Sequence, residues 1–187
     1  MTDTQTPAYL QDAAQLLTES GFTTSNVWYH GTASGLIESI KTHGLKQSGD
    51  AESNERAKKT MSTIGGSYKE HKDPIFLTQS KELAFYWALQ ATKTRNLRFG
   101  GNETPVVVEV NLPEKMNDLV KPDVGAAAML LIGTDYTDKV NEIYQANKLL
   151  APEINPSSAD RMDYLNKLGL AYIKKGIPSE NLTVLSE

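Results

Sequence analysis

A chain of 187 residues with 39% hydrophobic and 22% charged residues has the makeup of one soluble globular domain, expected to span 1–187. Its net charge of −4 argues against general affinity for nucleic acid or anionic membrane, leaving room only for a local basic patch. With no cysteine, disulfides, thiol catalysis and thiolate zinc sites are excluded together.

Three histidines, His30, His43 and His71, stand too far apart for a metal motif, so no metal site is expected. The longest apolar run, Val124 to Ile132, is interrupted by Gly125 and is too short to cross a bilayer. The first residues lack the basic region and apolar core of a secretory signal, which points to the cytoplasm. Delivery into another cell by a dedicated secretion system would leave no mark on this sequence.

Thr6-Pro7 reads as a helix start, and Leu10, Ala13, Ala14 and Leu17 keep helical spacing up to Gly21. Residues 1–21 are thus expected to form a packing helix, with a partner-binding arm as the alternative. Val27-Trp28-Tyr29-His30-Gly31-Thr32 then forms a short strand, rich in aromatic and branched residues, running into a His-Gly-Thr corner. A histidine at a strand end can meet a ligand, although an isolated one is more often a satisfied core residue. Gly31 permits a close backbone approach because it lacks a Cβ.

Leu36, Ile37 and Ile40 mark the buried face of a helix ending near Gly44. From Gln47 to Asp73 the chain is polar and Gly-rich, which predicts a loop that is either a lid or disordered. Ile75 to Thr78 is a strand, and Ser80 caps a following helix through about Thr92. Phe85, Tyr86 and Trp87 are about 100° apart around that helix, so at least one must leave the core. The basic residues Lys93, Arg95 and Arg98 follow, either as a solvated face or to meet a phosphate.

Pro105 to Leu112 is the strongest strand, with valines that suggest burial on both faces. Periodicity does not decide between helix and strand for 124–132. Helices are expected around Val140 to Asn147 and from Ser158 to Leu168, and strands at Leu170 to Ile173 and Leu182 to Leu185. Several strands are too close in sequence for parallel crossovers. This favours an α+β architecture with mostly antiparallel strands.

The ordered set Tyr-His-Gly-Thr, helix, polar loop, Ile-Phe-Leu-Thr, and helix with Ala-Phe-Tyr-Trp-Ala resembles the ADP-ribosyltransferase superfamily. The branch is the His-Tyr-Glu one that includes diphtheria-toxin-like and poly-ADP-ribose polymerase-like enzymes. The resemblance covers about Val27 to Leu112, together with the Ile-Pro-Ser-Glu-Asn-Leu ending. It implies two packed, mostly antiparallel sheets around an NAD cleft with flanking helices. It also implies NAD as co-substrate and cleavage of the nicotinamide–ribose bond through an oxocarbenium-like transition state.

By that resemblance His30 would exchange hydrogen bonds with ribose hydroxyls, and Gly31 would hold the carboxamide through its N–H and C=O. Thr32 would help position the adenosine side, and Phe76 would form a wall of the nicotinamide pocket. Tyr86 would stack on the nicotinamide ring, with Trp87 as the runner-up for that role. His30 and Tyr86 are the catalytic candidates.

Two positions depart from the family pattern. Leu83 stands where many polymerase-type members carry a serine, and Gly169-Leu170-Ala171 stands where the family's glutamate falls. The carboxylates offered as substitutes are Glu109, Asp160 and Asp163, although a solvent-facing role suits Glu109 better. In the family, loss of the glutamate goes with mono-transfer or with an inactive binding module.

The implied function is mono-ADP-ribosyl transfer to a protein, nucleic-acid or small-molecule acceptor. Short members of this kind are typically bacterial or phage-encoded toxins, effectors or antibiotic-modifying enzymes. The alternatives are a silent NAD- or ADP-ribose-binding module and an RNA 2′-phosphotransferase-like enzyme. The latter also lacks the glutamate but normally carries a basic domain absent here.

Overall fold

The computed structural model describes residues 5–47, 51–63, 65, 73–130, 134–155 and 157–187. Among them are α1 (Ala13–Leu16), α2 (Ile37–His43), α3 (Ala51–Thr63), α4 (Lys81–Phe99), α5 (Glu114–Asn117), α6 (Val124–Leu130), α7 (Thr134–Ala146) and α8 (Arg161–Asn166). The strands are β1 (Leu17–Thr18), β2 (Gly21–Phe22), β3 (Val27–Ala33), β4 (Ile75–Leu77), β5 (Pro105–Asn111), β6 (Lys121–Pro122), β7 (Ala171–Ile173) and β8 (Leu182–Leu185). No helix among the described residues is long and apolar enough to cross a membrane.

The fold is α+β, with three small antiparallel sheets. Two three-stranded sheets, in the orders β3-β5-β8 and β4-β7-β6, form the centre, and β1-β2 is a minimal hairpin at one side. Among the described residues a single bridge, Tyr29 with Thr78, connects the central sheets. Burial of alternate residues fixes the register, because a one-residue slip would turn Ile75 and Leu77 outward. Those two pack with Trp28, Val110, Ala171 and Ile173 in one buried cluster. The indole Nε1 of Trp28 donates 2.7 Å to Asn117 Oδ1, so this large ring is buried without losing its polar contact.

β5 is the middle strand of its sheet, and its buried Val107, Val108 and Val110 explain the near-continuous valine run. Pro105 opens that strand, a position where a missing N–H is tolerated. α4 begins where Ser80 Oγ accepts from Glu82 N and ends at Gly100, which takes the left-handed conformation. It runs one and a half turns or more past the expected end at Thr92. The basic tract continues the helix because lysine and arginine are good helix formers. Arg95 lies along it and grips Glu103 with both Nε and Nη2, at 2.7 and 2.8 Å.

The expected N-terminal helix is broken. A 3-10 turn over Ala8–Leu10 is followed by four residues of α1, and then the chain enters β1. Asp12 interrupts it by bonding Ser80 Oγ and the Lys81 N–H, while Ala13 N donates to Glu82 Oε1. The chain end thus caps α4 instead of continuing its own helix.

Within the expected lid, residues 51–63 form α3, with Arg56 placed 4.5 Å from the centroid of the Phe99 ring. Phe99 is about 16 Å along α4 from Ala88, so this part of the segment docks at the C-terminal end of that helix. Residues 48–50, 64 and 66–72 lie outside the described ones. The ambiguous apolar stretch is helical over Val124–Leu130. α7 buries Tyr136, Val140, Ile143 and Tyr144 on one stripe. α8 is shorter than expected, because Asp160 and Asp163 form a reciprocal cap only at Arg161.

Candidate functional site at the split between the sheets

β3 and β4 begin as a proper antiparallel pair. Tyr29 N donates to Thr78 O at 2.8 Å, and Thr78 N returns a bond to Tyr29 O at 3.0 Å. The next rung would join Gly31 to Phe76. It does not form. The carbonyl of Phe76 is met instead by the imidazole Nδ1 of His30, at 2.9 Å. The histidine ring therefore stands in the opening where the two sheets part.

In an antiparallel strand the peptide groups of residues two apart point to the same side. Since Tyr29 spends its N–H and C=O on Thr78, those of Gly31 face the opening as well. Among the described residues no backbone bond joins Gly31 across it. One donor and one acceptor, side by side at an open edge, match the two ends of a primary carboxamide.

A carbonyl can only accept, so the Nδ1 of His30 carries the proton and the Nε2 is left as an acceptor. Burial lowers the imidazole pKa below its usual 6.5, and the Phe76 carbonyl opposes this only in part. His30 is thus a neutral ring with one fixed tautomer at neutral pH. Donation by His30 to a ribose is ruled out by this geometry, because its one N–H is already engaged. Acceptance at Nε2 from a hydroxyl remains.

Gly31 has a second role that the sequence did not reveal. A Cβ on it would collide with the carbonyl of Ala84 and lie 2.5 Å from Ala88 N. α4 therefore crosses directly on β3 at this residue. Ala84 and Ala88 form the contacting face, one turn apart on the same side.

That register decides where the aromatic residues of α4 go. At about 100° per residue, Tyr86 points away from β3, on the far side of the helix. There its ring sits edge-on to Trp87 at 5.2 Å and to Tyr136 at 5.4 Å. It borders a broad cleft of about 1390 Å³ shared with Gln5, Lys93, Asp135 and Glu142. His30 and Tyr86 are not brought together. Phe85 turns the other way, into the cluster with Leu10, Tyr29 and Val107.

Trp87 follows Leu83 by one turn on one flank of α4. Leu83 reaches Gly169 and is buried, so this flank faces the side of the second sheet. Tyr136 stacks on the indole of Trp87 at 5.1 Å and 29°. Both stacking candidates pack on Tyr136, and Trp87 is the one on the flank that Leu83 turns to Gly169.

Phe76 is 49% exposed, beside the carbonyl that binds His30, while its neighbours Ile75 and Leu77 are buried. Thr32 is buried opposite Val106, with its side chain on the same face of β3 as His30. Tyr172, directly across from Phe76 on β7, was not singled out from sequence. The alternation Ala171-Tyr172-Ile173, buried on either side of a half-exposed ring, was the available signal.

In the stretch Gly169-Leu170-Ala171, where the resemblance would place a glutamate, Ala171 is buried in the apolar cluster around Trp28, opposite Leu77. The three candidate substitutes are engaged elsewhere. Glu109 accepts from Asn111 Nδ2 and pairs across β3 with Tyr29, while Asp160 and Asp163 cap α8. Asp163 also meets Lys167 at 3.0 Å. Among the described residues no three His, Asp or Glu side chains converge closely enough to hold a metal ion.

Comparison with known protein families, characterised proteins and solved structures gives no significant match to this chain.

Proposed function

We propose that the protein binds NAD at the split between β3 and β4 and transfers a single ADP-ribosyl group to an acceptor. The observation that carries this is the missing rung between Gly31 and Phe76. It leaves a peptide donor and acceptor free at an open edge beside a neutral imidazole of fixed tautomer. Nicotinamide offers a carboxamide to Gly31 and a flat ring to Phe76 and Trp87. The adjoining ribose offers a hydroxyl to His30 Nε2. The α+β fold with central antiparallel sheets and helices around them supports this reading at the level of fold class.

In the reaction the bond from ribose C1′ to the nicotinamide nitrogen breaks, and both its electrons leave with nicotinamide, which departs neutral. The cationic sugar carbon is then captured by a lone pair of the acceptor, which loses a proton. Holding the ring and the ribose separately favours this step by orientation and by exclusion of water. With Ala171 in place of a carboxylate, the developing positive charge lacks a nearby counter-charge from β7, so the acceptor must itself supply a competent nucleophile.

The test is incubation with tagged NAD and a cell lysate, followed by separate protease and nuclease treatments, with His30→Ala as control. Label that depends on His30 supports transfer, and the treatment that removes it identifies the acceptor class. NAD binding without label would leave the split as a binding site only, a reading favoured by the buried Ala171. Neither label nor binding would overturn both.

A further inference from the structure

Next to Phe76, which meets the nicotinamide ring, the second sheet carries residues that NAD cleavage does not use. Register places Phe76, Tyr172 and Lys121 side by side across β4, β7 and β6. All three lie on the face turned away from the Trp28 cluster, since Ile75, Leu77, Ala171 and Ile173 fill that side. At about 4.8 Å per strand the row extends roughly 10 Å from Phe76 to Lys121. Lys174 is on the same face, two residues beyond Tyr172, and its ammonium stands 5.7 Å from the centroid of that ring. Lys121, Lys174 and Lys175 are all exposed.

An aromatic pair bordered by Lys121 and Lys174, with Lys175 next in the chain, is a local reversal of charge on a chain whose net charge is −4. Flat rings suit nucleobases, and ammonium groups suit the phosphates between them. A duplex hides its base faces in the stack, whereas a single strand presents them. The row also has a direction. It starts at Phe76, at the edge of the split, and leads away over Tyr172 to the lysines.

We propose that this face binds single-stranded nucleic acid and presents it as the acceptor of the ADP-ribosyl group. One base stacks on Tyr172, Lys121 and Lys174 hold the flanking phosphates, and the neighbouring nucleotide reaches the edge of the split, beside the sugar carbon released from nicotinamide. This assignment rests on the transferase reading of the split.

The experiment is fluorescence anisotropy with a labelled 20-nucleotide single strand of mixed sequence, its duplex form and a polyglutamate peptide as probes. Intrinsic fluorescence with NAD is recorded in parallel. The single strand is expected to bind, more tightly than the duplex or the peptide. Tyr172→Ala is expected to weaken it on the order of 5- to 100-fold, with Tyr172→Phe restoring it. Lys121→Glu combined with Lys174→Glu should reduce the salt slope by about 0.7 per lysine and lower affinity further. His30→Ala should leave oligonucleotide binding intact while removing NAD binding, which separates the two readings.

Thermal melting at the wild-type temperature confirms that the surface variants fold. The proposal is overturned by any of three results: NAD binding with no affinity for any oligonucleotide, equal binding of polyglutamate, or oligonucleotide binding that survives loss of Tyr172 and both lysines. In each case the NAD site at the split would stand by itself.

Discussion

The α-carbon of Gly31 rests against the carbonyl of Ala84, so closely that a methyl group cannot be placed between them. Gly31→Ala must push β3 away from α4, and both elements carry buried clusters that resist the shift. We expect a loss of about 2 to 3 kcal/mol, read as a lowered urea midpoint with an unchanged m-value. A variant within about 0.5 kcal/mol of wild type would contradict the close crossing.

His30 gives a pH dependence with a definite sign. Its native pKa lies below 6.5 because burial penalises the imidazolium. The unfolded chain therefore takes up the proton first as pH falls. The stability linked to this ring is complete above about 6.5 and declines as pH drops from there to the lowered native value. Urea unfolding at several pH values should show this decline, and His30→Gln should flatten it. An NMR titration of the His30 ring with a midpoint at or above 6.5 would refute the environment described.

Trp87 and Tyr86 should separate in their effects. Trp87→Ala is expected to weaken NAD binding about tenfold or more, in line with the loss of a stacked ring. Tyr86→Phe, which keeps the edge contacts to Trp87 and Tyr136, should leave NAD affinity unchanged. Loss of NAD affinity in Tyr86→Phe alone would reverse the ranking and favour the family's tyrosine.

Arg95 and Glu103 should matter for stability and not for NAD. Hydrogen bonds and charge from Arg95 hold the Glu103 carboxyl below its usual 4.5. Its stabilising share is complete above about 4.5 and is lost as pH falls toward the lowered value. Glu103→Gln should cost on the order of 2 kcal/mol near neutrality, since a mostly buried arginine keeps its charge but loses the carboxylate it grips with two hydrogen bonds. Acid unfolding of that variant should begin from a lower plateau and show a shallower slope.

How far the sequence reached can be judged at particular residues. The strand through His30 was legible because aromatic and branched residues run straight into it, and the valines of β5 announced a covered strand. The extent of α4 was not, since a basic tract reads equally as loop or helix until Gly100 is seen to be left-handed. α3 escaped notice because its residues lack an apolar stripe. The ranking of Tyr86 against Trp87 depends on which face Ala84 and Ala88 turn to β3, and small residues carry no mark of their partner. The missing rung lies where His30 meets Phe76, 46 residues on, and no local pattern encodes it.

With Tyr29 and Thr78 forming the one rung between the central sheets among the described residues, a ligand at the split would act as a splice. Its carboxamide would supply to Gly31 the bonds that Phe76 does not make, so binding would lengthen the seam on the β3 side. The amides of Tyr29 and Thr78 should then exchange with deuterium more slowly in the presence of NAD, by a margin that grows with its concentration. The chain would complete its own β-structure only with its substrate in place.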